Sequence, residues 1–302
     1  MATSETVARI KLSRSPVPRI ARETPSLDRE ASPFLKWVGG KGRLLTQLLP
    51  LLPPGVDRMR HVEPFTGGGA MFFARDPERA LLCDLNASLV DTYLAVRDDV
   101  GSVIAELETL SLAHAATGNY YRVRERYNAE RRDLTRIERA AMFVYLNKTC
   151  FNGLHRVNRR GEFNVPEGRY KNPRILDAST LRNASAALRR ADIRHTGFEA
   201  LLSLAMPGDF VYLDPPYEPL STTASFVGYG ADGFSQVDQT RLRDVVNELD
   251  RRGCKIMLSN SDVPFIRSLY AKYRIDTVAA PRAINCDAKK RGLVSEVVVR
   301  NY

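Results

Sequence analysis

The tetrapeptide Asp214-Pro215-Pro216-Tyr217 offers the clearest chemistry in this sequence. It follows the apolar run Phe210–Leu213, which is typical of a buried parallel strand. Because prolines fix φ and donate no backbone hydrogen bond, the segment presents acceptors, namely the Asp214 carboxylate and the proline carbonyls. Beside the flat ring of Tyr217, these acceptors suit a planar amine such as the exocyclic NH2 of adenine. An ordinary turn after a strand is the alternative, since Asp-Pro pairs are common in turns.

A glycine-rich turn forms the second candidate site. Residues 61–65 predict a strand, and residues 66–69 (Thr-Gly-Gly-Gly) predict a tight turn that opens the helix Ala70–Arg75. Ala80–Asp84 predicts the next strand, which ends in an acid. Asp84 lies 17 positions after Gly67, close to the roughly 20 expected for an acid that binds ribose hydroxyls. The pattern indicates a Rossmann-like nucleoside site with a shortened glycine motif.

A third segment pairs the single tryptophan with a lysine. Trp37 stands beside Gly39, Gly40 and Lys41, ahead of an amphipathic run at 44–52. Glycines allow a close approach of the backbone to a ligand, and a lysine near a helix start suits a carboxylate or phosphate. The spacing does not match a P-loop, so this segment alone identifies no ligand.

Positive charge is concentrated in the middle of the chain. The net charge is +10, and residues 120–174 hold 14 Lys/Arg against 6 Asp/Glu. Within them, residues 147–173 form a long basic stretch rich in Gly and Asn, which we interpret as a functional loop. Its aromatic side chains alternate with basic ones, a mixture that can stack on bases and hold phosphates: Phe151, Phe163, Tyr170, Arg156, Arg159, Arg160, Arg169 and Lys171. The pattern favours a polyanion-binding face; a solvated helix with surplus arginine is the alternative.

Helix and strand patterns supply the elements that position these residues. Residues 86–146 are helical in pattern, with capping-box spacing at Thr135 and Glu138. A helix near 178–190 follows, and a second capping box at Ser235 and Asp238 opens a helix that ends near 252. Further strands are predicted at 193–196, 210–213, 255–258, 275–278 and 294–299. Strands at both ends around a helical, basic middle predict one α/β domain with an insertion, whose ligands bind at the carboxyl edge of the sheet.

Composition narrows the class of protein. No apolar run reaches the roughly 18 residues of a membrane span, and the N-terminus lacks the apolar core of a signal peptide, so we expect a cytoplasmic protein. Residues 1–32 are rich in Ser, Thr, Pro and mixed charge and predict a disordered basic leader. The 4 cysteines and 4 histidines form no metal-binding cluster and no CxxC pair, so we expect neither zinc nor disulfides.

Taken in order, five motifs resemble those of the Dam-type, D12 class of DNA adenine-N6 methyltransferases. They lie at 34–41 (Phe-Leu-Lys-Trp-Val-Gly-Gly-Lys), 63–69 (Glu-Pro-Phe-Thr-Gly-Gly-Gly), 84–86 (Asp-Leu-Asn), 145–170 (Tyr-Leu-Asn to Gly-Arg-Tyr) and 214–217. The resemblance runs from residue 34 to the C-terminus. It implies a Rossmann-like methyltransferase fold with a mixed, mostly parallel sheet. It also implies a catalytic domain at 33–87 and 176–302 that binds S-adenosylmethionine (SAM), and an inserted, mainly helical DNA-binding domain at 88–175.

The resemblance further implies a role for each site residue. SAM would be held by Trp37, Lys41, Phe65, Gly67, Gly69, Asp84, Phe198 and Asp214, with Lys41 near its carboxylate and Asp84 on its ribose; Phe198 has a core role as its alternative. Asp214 and Pro215 would accept the two N–H bonds of adenine N6. Pro216 completes the catalytic motif, and Tyr217 would stack on the flipped base. No histidine base and no metal are required.

The inserted domain would recognise the target sequence. By position in the family, Lys36, Leu154, Arg156 and Pro166 would read the target and Phe151 would intercalate, with Asn152 and Arg159 also on the DNA. Arg156 suits a bidentate contact with a guanine edge. These residues suggest GATC, although Phe151 replaces an expected tyrosine and His155 and Arg159 also depart from the family pattern.

Other readings remain open on sequence alone. A cytosine-N4 enzyme more often has Ser first in the catalytic motif and a protein-glutamine enzyme has Asn, so the aspartate favours adenine. An RNA substrate, a non-catalytic SAM- and DNA-binding regulator and, less well, a nicotinamide dehydrogenase are the alternatives. We expect a monomer acting on double-stranded DNA without a membrane partner. The sequence does not distinguish a solitary enzyme from one of a restriction-modification pair or a phage, nor does it give the processivity or any preference for hemimethylated sites.

Overall fold

The structure, a computed structural model, describes residues 31–220, 234–281 and 293–302. The predicted leader lies outside the described residues except for its last two positions, and Cys286 lies outside them as well. The other cysteines, Cys83, Cys150 and Cys254, are buried free thiols. No helix in the described part of the chain is long and apolar enough to cross a membrane.

The described residues build a seven-stranded sheet in the order β3-β2-β1-β4-β5-β7-β6. Its strands are β1 His61–Glu63, β2 Ala80–Asp84, β3 Ala191–His195, β4 Phe210–Leu213, β5 Lys255–Ser261, β6 Arg274–Pro281 and β7 Leu293–Arg300. Neighbouring pairs from β3 to β5 are parallel, whereas β7 is antiparallel to both β5 and β6. The predicted α/β fold with a mixed, mostly parallel sheet is confirmed.

The chain reverses its direction of travel across the sheet beside β1. Strand β1 pairs with β2 on one side and β4 on the other. Because the connections leaving β1 and β4 run to opposite sides, a crevice opens between the carboxyl ends of these two strands. The glycine turn after β1 and the tetrapeptide after β4 both enter this crevice, so tertiary structure joins two motifs that lie far apart in sequence.

Helices cover both faces of the sheet. They are α1 Leu45–Leu48, α2 Ala70–Arg75, α3 Ala87–Asp98, α4 Val100–Thr117, α5 Tyr120–Ala129, α6 Arg136–Thr149, α7 Ala178–Leu188, α8 Leu201–Leu204, α9 Gln236–Arg251 and α10 Pro264–Leu269. Side chains alternate along β4, with Val211 packing towards α9 and Phe210 towards α1 and α2. Both predicted capping boxes, at Thr135 and Ser235, are confirmed.

The predicted insertion shares its core with the sheet. Leu82 of β2 and Ile193 of β3 belong to the same buried cluster as Leu107 of α4 and Phe143 of α6. The predicted boundary at residue 88 falls just inside α3, which packs in this cluster. The division into a catalytic and a target-recognition domain stays a prediction.

Several predicted elements have different bounds in the structure, and in three of them the residues at the boundary explain the difference. The run at 44–52 is not one amphipathic helix, because Pro50 lacks an N–H and the helix gives way to a 3₁₀ turn at Leu49–Leu51. Strand β1 stops at Glu63 rather than 65, since Pro64 cannot donate to a ladder. Strand β5 runs on to Ser261, beyond the predicted end at 258, through polar residues that hide its periodicity.

A short β-hairpin interrupts the segment that the sequence predicts as a long loop. Val157 bridges Phe163, and the Asn158 N–H donates to the Glu162 carbonyl at 2.9 Å. Gly161 closes the turn with φ +78°, a conformation that glycine adopts without strain. Residues 156–164 of the predicted loop are therefore ordered as a hairpin, whose single bridge is too short for a clear period-two pattern.

Helix α5 holds the returning arm of this hairpin against the core. The Tyr120 hydroxyl donates to the Val165 carbonyl at 2.8 Å, and Arg124 donates to the same oxygen at 3.0 Å. The Asn128 side chain donates to the Phe163 carbonyl and accepts from the Phe163 N–H, at 3.0 and 2.9 Å. The hairpin is therefore rigidly mounted although its turn is exposed.

We expect Tyr120→Phe to lower the free energy of unfolding by about 1 kcal/mol, because a buried hydroxyl and its hydrogen bond are lost without loss of the ring. Tyr121→Phe is the matched control, since Tyr121 is 52% exposed and should change stability by less than about 0.5 kcal/mol. Urea unfolding of both variants and the wild type measures the difference. Equal stabilities for the two variants would contradict the role given to the Tyr120 hydrogen bond.

Candidate active site

Asp214 follows the end of β4 and forms an ion pair with Lys41 from the distant N-terminal segment. The Lys41 ammonium donates to Oδ2 at 2.8 Å and lies 2.7 Å from Oδ1. The geometry at Oδ1 does not suit a hydrogen bond, so this buried oxygen has no hydrogen-bond partner among the described residues. Lys41 also donates to the Gly39 carbonyl at 2.8 Å, which anchors the ammonium at the motif.

Two buried amide side chains fix the backbone after Asp214. Gln239 of α9 donates to the Pro216 carbonyl at 3.0 Å and accepts from Asn260 of β5 at 3.1 Å. Asn260 in turn accepts from the Glu218 N–H at 3.1 Å. No hydrogen bond to the Pro215 carbonyl is found within the described residues. The motif therefore presents two acceptors that receive no hydrogen bond within the described residues, on an immobilised backbone: Oδ1 of Asp214, which is ion-paired with Lys41, and the Pro215 carbonyl.

Tyr217 is held at both its hydroxyl and its ring. The hydroxyl donates to Glu296 Oε2 at 2.7 Å, and the Lys41 ammonium lies 4.7 Å from the ring centroid. Burial raises the pKa of Tyr217 well above its usual value, and the negative charges of Asp214 and Glu296 raise it further. The phenol therefore stays protonated and can donate.

The carboxyl ends of neighbouring strands bring further acids to the crevice. Burial raises the pKa of Asp214, against the opposing effect of Lys41. Glu63, the last residue of β1, is buried beside His61, and its pKa is raised well above its usual value by burial and then by Asp214. Burial also raises the pKa of Asp84. The site is thus rich in carboxyl groups and contains one buried lysine among the described residues, an arrangement that favours a cationic ligand.

The glycine turn after β1 closes over Asp84. Gly67 and Gly69 have φ +47° and +67°, the region that side chains with a Cβ rarely adopt. Asp84 accepts from the Gly67 N–H through Oδ2 and from the Asn86 N–H through Oδ1, each at 2.9 Å. A Cβ at Gly67 would lie 2.7 Å from Cδ1 of Trp37, so the indole packs directly against the turn. The predicted turn, acid and tryptophan are therefore brought together.

The two predicted aromatic residues of this half of the site contact each other. Phe65 and Phe198 are stacked, with ring centroids 5.7 Å apart and 27° between the planes. Phe198 is 4% exposed and lies in the core cluster beneath the site, as its alternative core role requires. A contact of Phe198 with an adenine ring stays a prediction.

Trp37 links the glycine turn to the basic segment. Its indole stacks on the His155 imidazole, with centroids 5.7 Å apart and 20° between the planes. The Asn86 amide nitrogen lies 3.2 Å from Nδ1 of His155, and since that nitrogen is a donor, Nδ1 accepts and Nε2 carries the proton. Burial, followed by the positive charge of Arg131, lowers the pKa of His155 to about 4.

A second link joins Lys36 to the same basic segment. The Lys36 N–H donates to Oδ1 of the buried Asn147 at 2.8 Å, and Nδ2 of Asn147 donates back to the Lys36 carbonyl at 2.7 Å. The Lys36 ammonium donates to the Lys148 carbonyl at 3.2 Å and lies 4.0 Å from the centroid of the Tyr170 ring. A Cβ at Gly153 would lie 2.5 Å from Cβ of Lys36, so glycine permits this close contact.

The other predicted DNA-reading residues lie on and beside the hairpin. Arg156 is exposed and donates to the Asn164 side chain at 2.8 Å, which limits the freedom of its guanidinium. Phe151 is 47% exposed, but Phe163 is 4% exposed, so a stacking role for Phe163 is wrong because this ring belongs to the core. The structure places the rest as follows: Asn152, Arg159 and Pro166 exposed, and Leu154 half-buried against the core.

Comparison with known proteins identifies the family. The family model for D12 class N6 adenine-specific DNA methyltransferases matches residues 37–284. The type II methyltransferase M.MjaIII of Methanocaldococcus jannaschii is 42% identical over 289 residues, 90% of this chain and 100% of the relative. The DNA adenine methylase of Escherichia coli is 34% identical over 266 residues, 88% of this chain and 93% of the relative. The chain belongs to the D12 class of N6 adenine-specific DNA methyltransferases.

A third relative matches this chain over a similar length. The type II methyltransferase M1.LlaDCHI of Lactococcus lactis subsp. cremoris is 40% identical over 274 residues, which cover 89% of this chain and 95% of the relative. The protein is therefore an adenine-specific DNA methyltransferase, as the five sequence motifs predict. Among residues 31–220, 234–281 and 293–302, no cluster of His, Cys, Asp or Glu could hold a metal ion.

Sequence reasoning missed several residues of this methyltransferase site. Gln239 and Glu296 contact the tetrapeptide 214–217 from α9 and β7, and Asn260 of β5 contacts Glu218, the residue that follows it. A polar Ser-Asn-Ser run at the end of a buried strand and a lone acid in the apolar run 294–299 were the available signals. Neither points to Tyr217 or Pro216 until the order of the strands is known.

We expect acid to destabilise the methyltransferase partly through His155. Because its folded pKa of about 4 lies below the ordinary value of about 6.5, the unfolded chain binds more protons between these values. The free energy of unfolding therefore falls as pH falls through this window, by about 2–3 kcal/mol at pH ~4.5. His155→Phe keeps an aromatic ring for Trp37 but removes the titration.

Urea unfolding at neutral pH and at pH ~4.5 compares the two proteins. The His155→Phe variant should lose less stability on acidification than the wild type, by that same difference. His61, whose pKa burial also lowers, is present in both proteins and cancels. An equal loss in the two proteins would show that His155 does not titrate as its surroundings require.

Proposed function

We propose that this enzyme transfers the methyl group of SAM to N6 of an adenine flipped out of duplex DNA, within the sequence GATC. The pair of acceptors at the end of β4, Asp214 Oδ1 and the Pro215 carbonyl, carries the proposal. An exocyclic amine has two N–H bonds to donate, and the tyrosine beside these acceptors offers a face for its ring. The family establishes adenine N6 and DNA; the donor, base flipping and target sequence are the proposed steps.

The residues around the glycine turn fit SAM. When bound, SAM supplies an electrophilic methyl group on a positively charged sulfonium, which suits the cluster of carboxyl groups from Glu63, Asp84 and Asp214. Each oxygen of Asp84 accepts one backbone N–H and keeps lone pairs for ribose hydroxyls. The glycines allow close approach of backbone. The proposed SAM-binding set is Trp37, Lys41, Phe65, Gly67, Gly69, Asp84, Phe198 and Asp214.

The catalytic motif would act by orientation and electrostatics. Acceptance of both N6 hydrogens by Asp214 and Pro215 favours a pyramidal nitrogen, whose lone pair is then free to attack. The positive charge that develops on N6 is stabilised by the Asp214 carboxylate in a desolvated site. Pro216, tied to Gln239, keeps the two acceptors fixed, and the extra proton of N6 passes to solvent water after transfer. Tyr217 would stack on the flipped base.

Residues 88–175 and Lys36 would recognise GATC. Phe151 would intercalate, and the exposure of its ring supports this role. Arg156, oriented by Asn164, would read a guanine edge through its remaining N–H groups. The full proposed set is Lys36, Phe151, Asn152, Leu154, Arg156, Arg159 and Pro166. We propose a monomer acting on double-stranded DNA.

A different DNA target is the second candidate. It is favoured by the departures from the family pattern at Phe151, His155 and Arg159. Of these, His155 packs between Trp37 and the core ring of Phe163, so its change alters the support of the hairpin rather than its exposed face. Phe151 and Arg159 are exposed and are the two that would change a contact with DNA.

We expect Asp214→Ala to lower methyl transfer by at least about 10³-fold while weakening SAM binding much less, because its main contribution falls on the transition state. Fluorescence of Trp37, the single tryptophan, reports SAM binding independently of transfer. Asp244→Ala on the exposed side of α9 is the matched control and should keep wild-type activity. An active Asp214→Ala enzyme would contradict the proposed mechanism.

We expect labelled methyl groups to enter a GATC duplex and not duplexes that differ from it by one base pair. Arg156→Ala should reduce discrimination at one guanine by about 10–200-fold, the worth of one bidentate base contact. Arg160→Ala, in the exposed turn of the same hairpin, should weaken binding to all duplexes alike. Methylation of a different single sequence would favour the second candidate, and equal methylation of all duplexes would discard a sequence-specific role for Arg156.

A further inference from the structure

Glu296 brings a carboxylate from the antiparallel part of the sheet to the catalytic motif. It lies on β7, where it pairs in register with Ser261 at the end of β5 and with Val278 of β6. Its neighbours Val297, Val298 and Val299 are buried core residues. A charged side chain at the start of such a run needs a polar partner, and that partner is Tyr217.

The contact with Tyr217 is short and directional. The phenol donates to Glu296 Oε2 at 2.7 Å, within the range of charge-assisted O–H···O⁻ hydrogen bonds. Since burial and two nearby carboxylates raise the pKa of Tyr217, the phenol remains the donor throughout the ordinary pH range. The bond therefore holds the Tyr217 side chain at its hydroxyl, the end farthest from the backbone.

Four contacts from separate elements together determine where the Tyr217 ring lies. Its backbone is fixed on both sides, through Gln239 on the Pro216 carbonyl and Asn260 on the Glu218 N–H. Lys41 lies 4.7 Å from the ring centroid. Without Glu296, rotation about the side-chain bonds of Tyr217 is limited only by packing. With it, the hydroxyl is anchored and the long axis of the ring is set, while Lys41 and the surrounding packing act on the ring itself.

We propose that Glu296 is a positioning residue for methyl transfer: it fixes the position and the long axis of the Tyr217 ring against which the target base stacks. The inference rests on the proposed role of Tyr217 in holding the flipped adenine. A misplaced ring lets the base tilt, which moves N6 away from the Asp214 and Pro215 acceptors. Glu296 therefore acts on the transfer step through Tyr217 and touches neither the base nor the donor.

Single-turnover methyl transfer, with SAM and duplex both saturating, tests this role. Glu296→Ala should lower the rate of transfer by roughly 10–100-fold, since small misplacements in a site cost about this much. SAM affinity and thermal stability should stay close to the wild type. Glu296→Gln keeps the length and an acceptor oxygen, and should restore the rate to within about fivefold. Ser295→Ala, exposed on the same strand, is the matched control.

A double-mutant cycle separates positioning from general support. Tyr217→Phe removes the hydroxyl and should slow transfer to the same extent as Glu296→Ala, and the combined variant should be no slower than either alone. Multiplicative losses would overturn the proposal, and so would a Glu296→Gln enzyme as slow as Glu296→Ala, because charge rather than the hydrogen bond would then matter.

The remaining outcomes distinguish this inference from the proposed function. A fully active Glu296→Ala enzyme would overturn the role of Glu296 alone and leave the proposed function intact. A wild-type enzyme that transfers no methyl group to any duplex would overturn the proposed function and the role of Glu296 with it. Comparable melting temperatures for the wild type, Glu296→Ala and Glu296→Gln establish that a slow variant is folded.

Discussion

The buried Asp214 carboxylate is the constraint on which the rest of this structure depends. A carboxylate that leaves water needs a counter-charge, or its pKa rises until it is protonated. Lys41 supplies that charge at 2.7–2.8 Å from both oxygens, from a segment 173 positions away in sequence. The geometry leaves one oxygen without a hydrogen bond. The site therefore keeps an ionisable acceptor desolvated and still available, which a surface aspartate does not do.

Rigid support extends outward from this pair. Gln239 and Asn260 form a buried amide pair that takes the backbone groups on either side of Tyr217, so the prolines are not the only source of stiffness. On the opposite side, Trp37 lies between the glycine turn and His155. Trp37 therefore connects the glycine turn directly to the segment that carries the hairpin. The proposed SAM-binding and DNA-binding parts of the site share one packed interface.

Much of the fold could be predicted because its signals are local. The strand Phe210–Leu213, the helix Ala70–Arg75 and the capping boxes at Thr135 and Ser235 depend on periodicity, cap chemistry and turn residues, which a short window contains. The errors have equally physical causes. Pro50 and Pro64 end elements that the apolar pattern alone continues, and the ladder near Val157 and Phe163 is too short to show a strand period.

By itself, the sequence determined the family and the chemical groups of the candidate site: the acceptors of the tetrapeptide, the glycine turn, the acid after β2 and the basic segment follow from residue type and spacing. Only the tertiary structure decided which of these groups meet. Lys41 reaches Asp214, Trp37 reaches His155, and Glu296 reaches Tyr217, because the crossing of the chain at β1 and the insertion of β7 beside β5 bring distant segments to one edge. Phe163 is an opposite case. Its spacing in the sequence predicts an exposed aromatic side chain, but the tertiary structure packs it against α5 in the core. Such contacts depend on the order and direction of strands, which no local pattern of residues encodes.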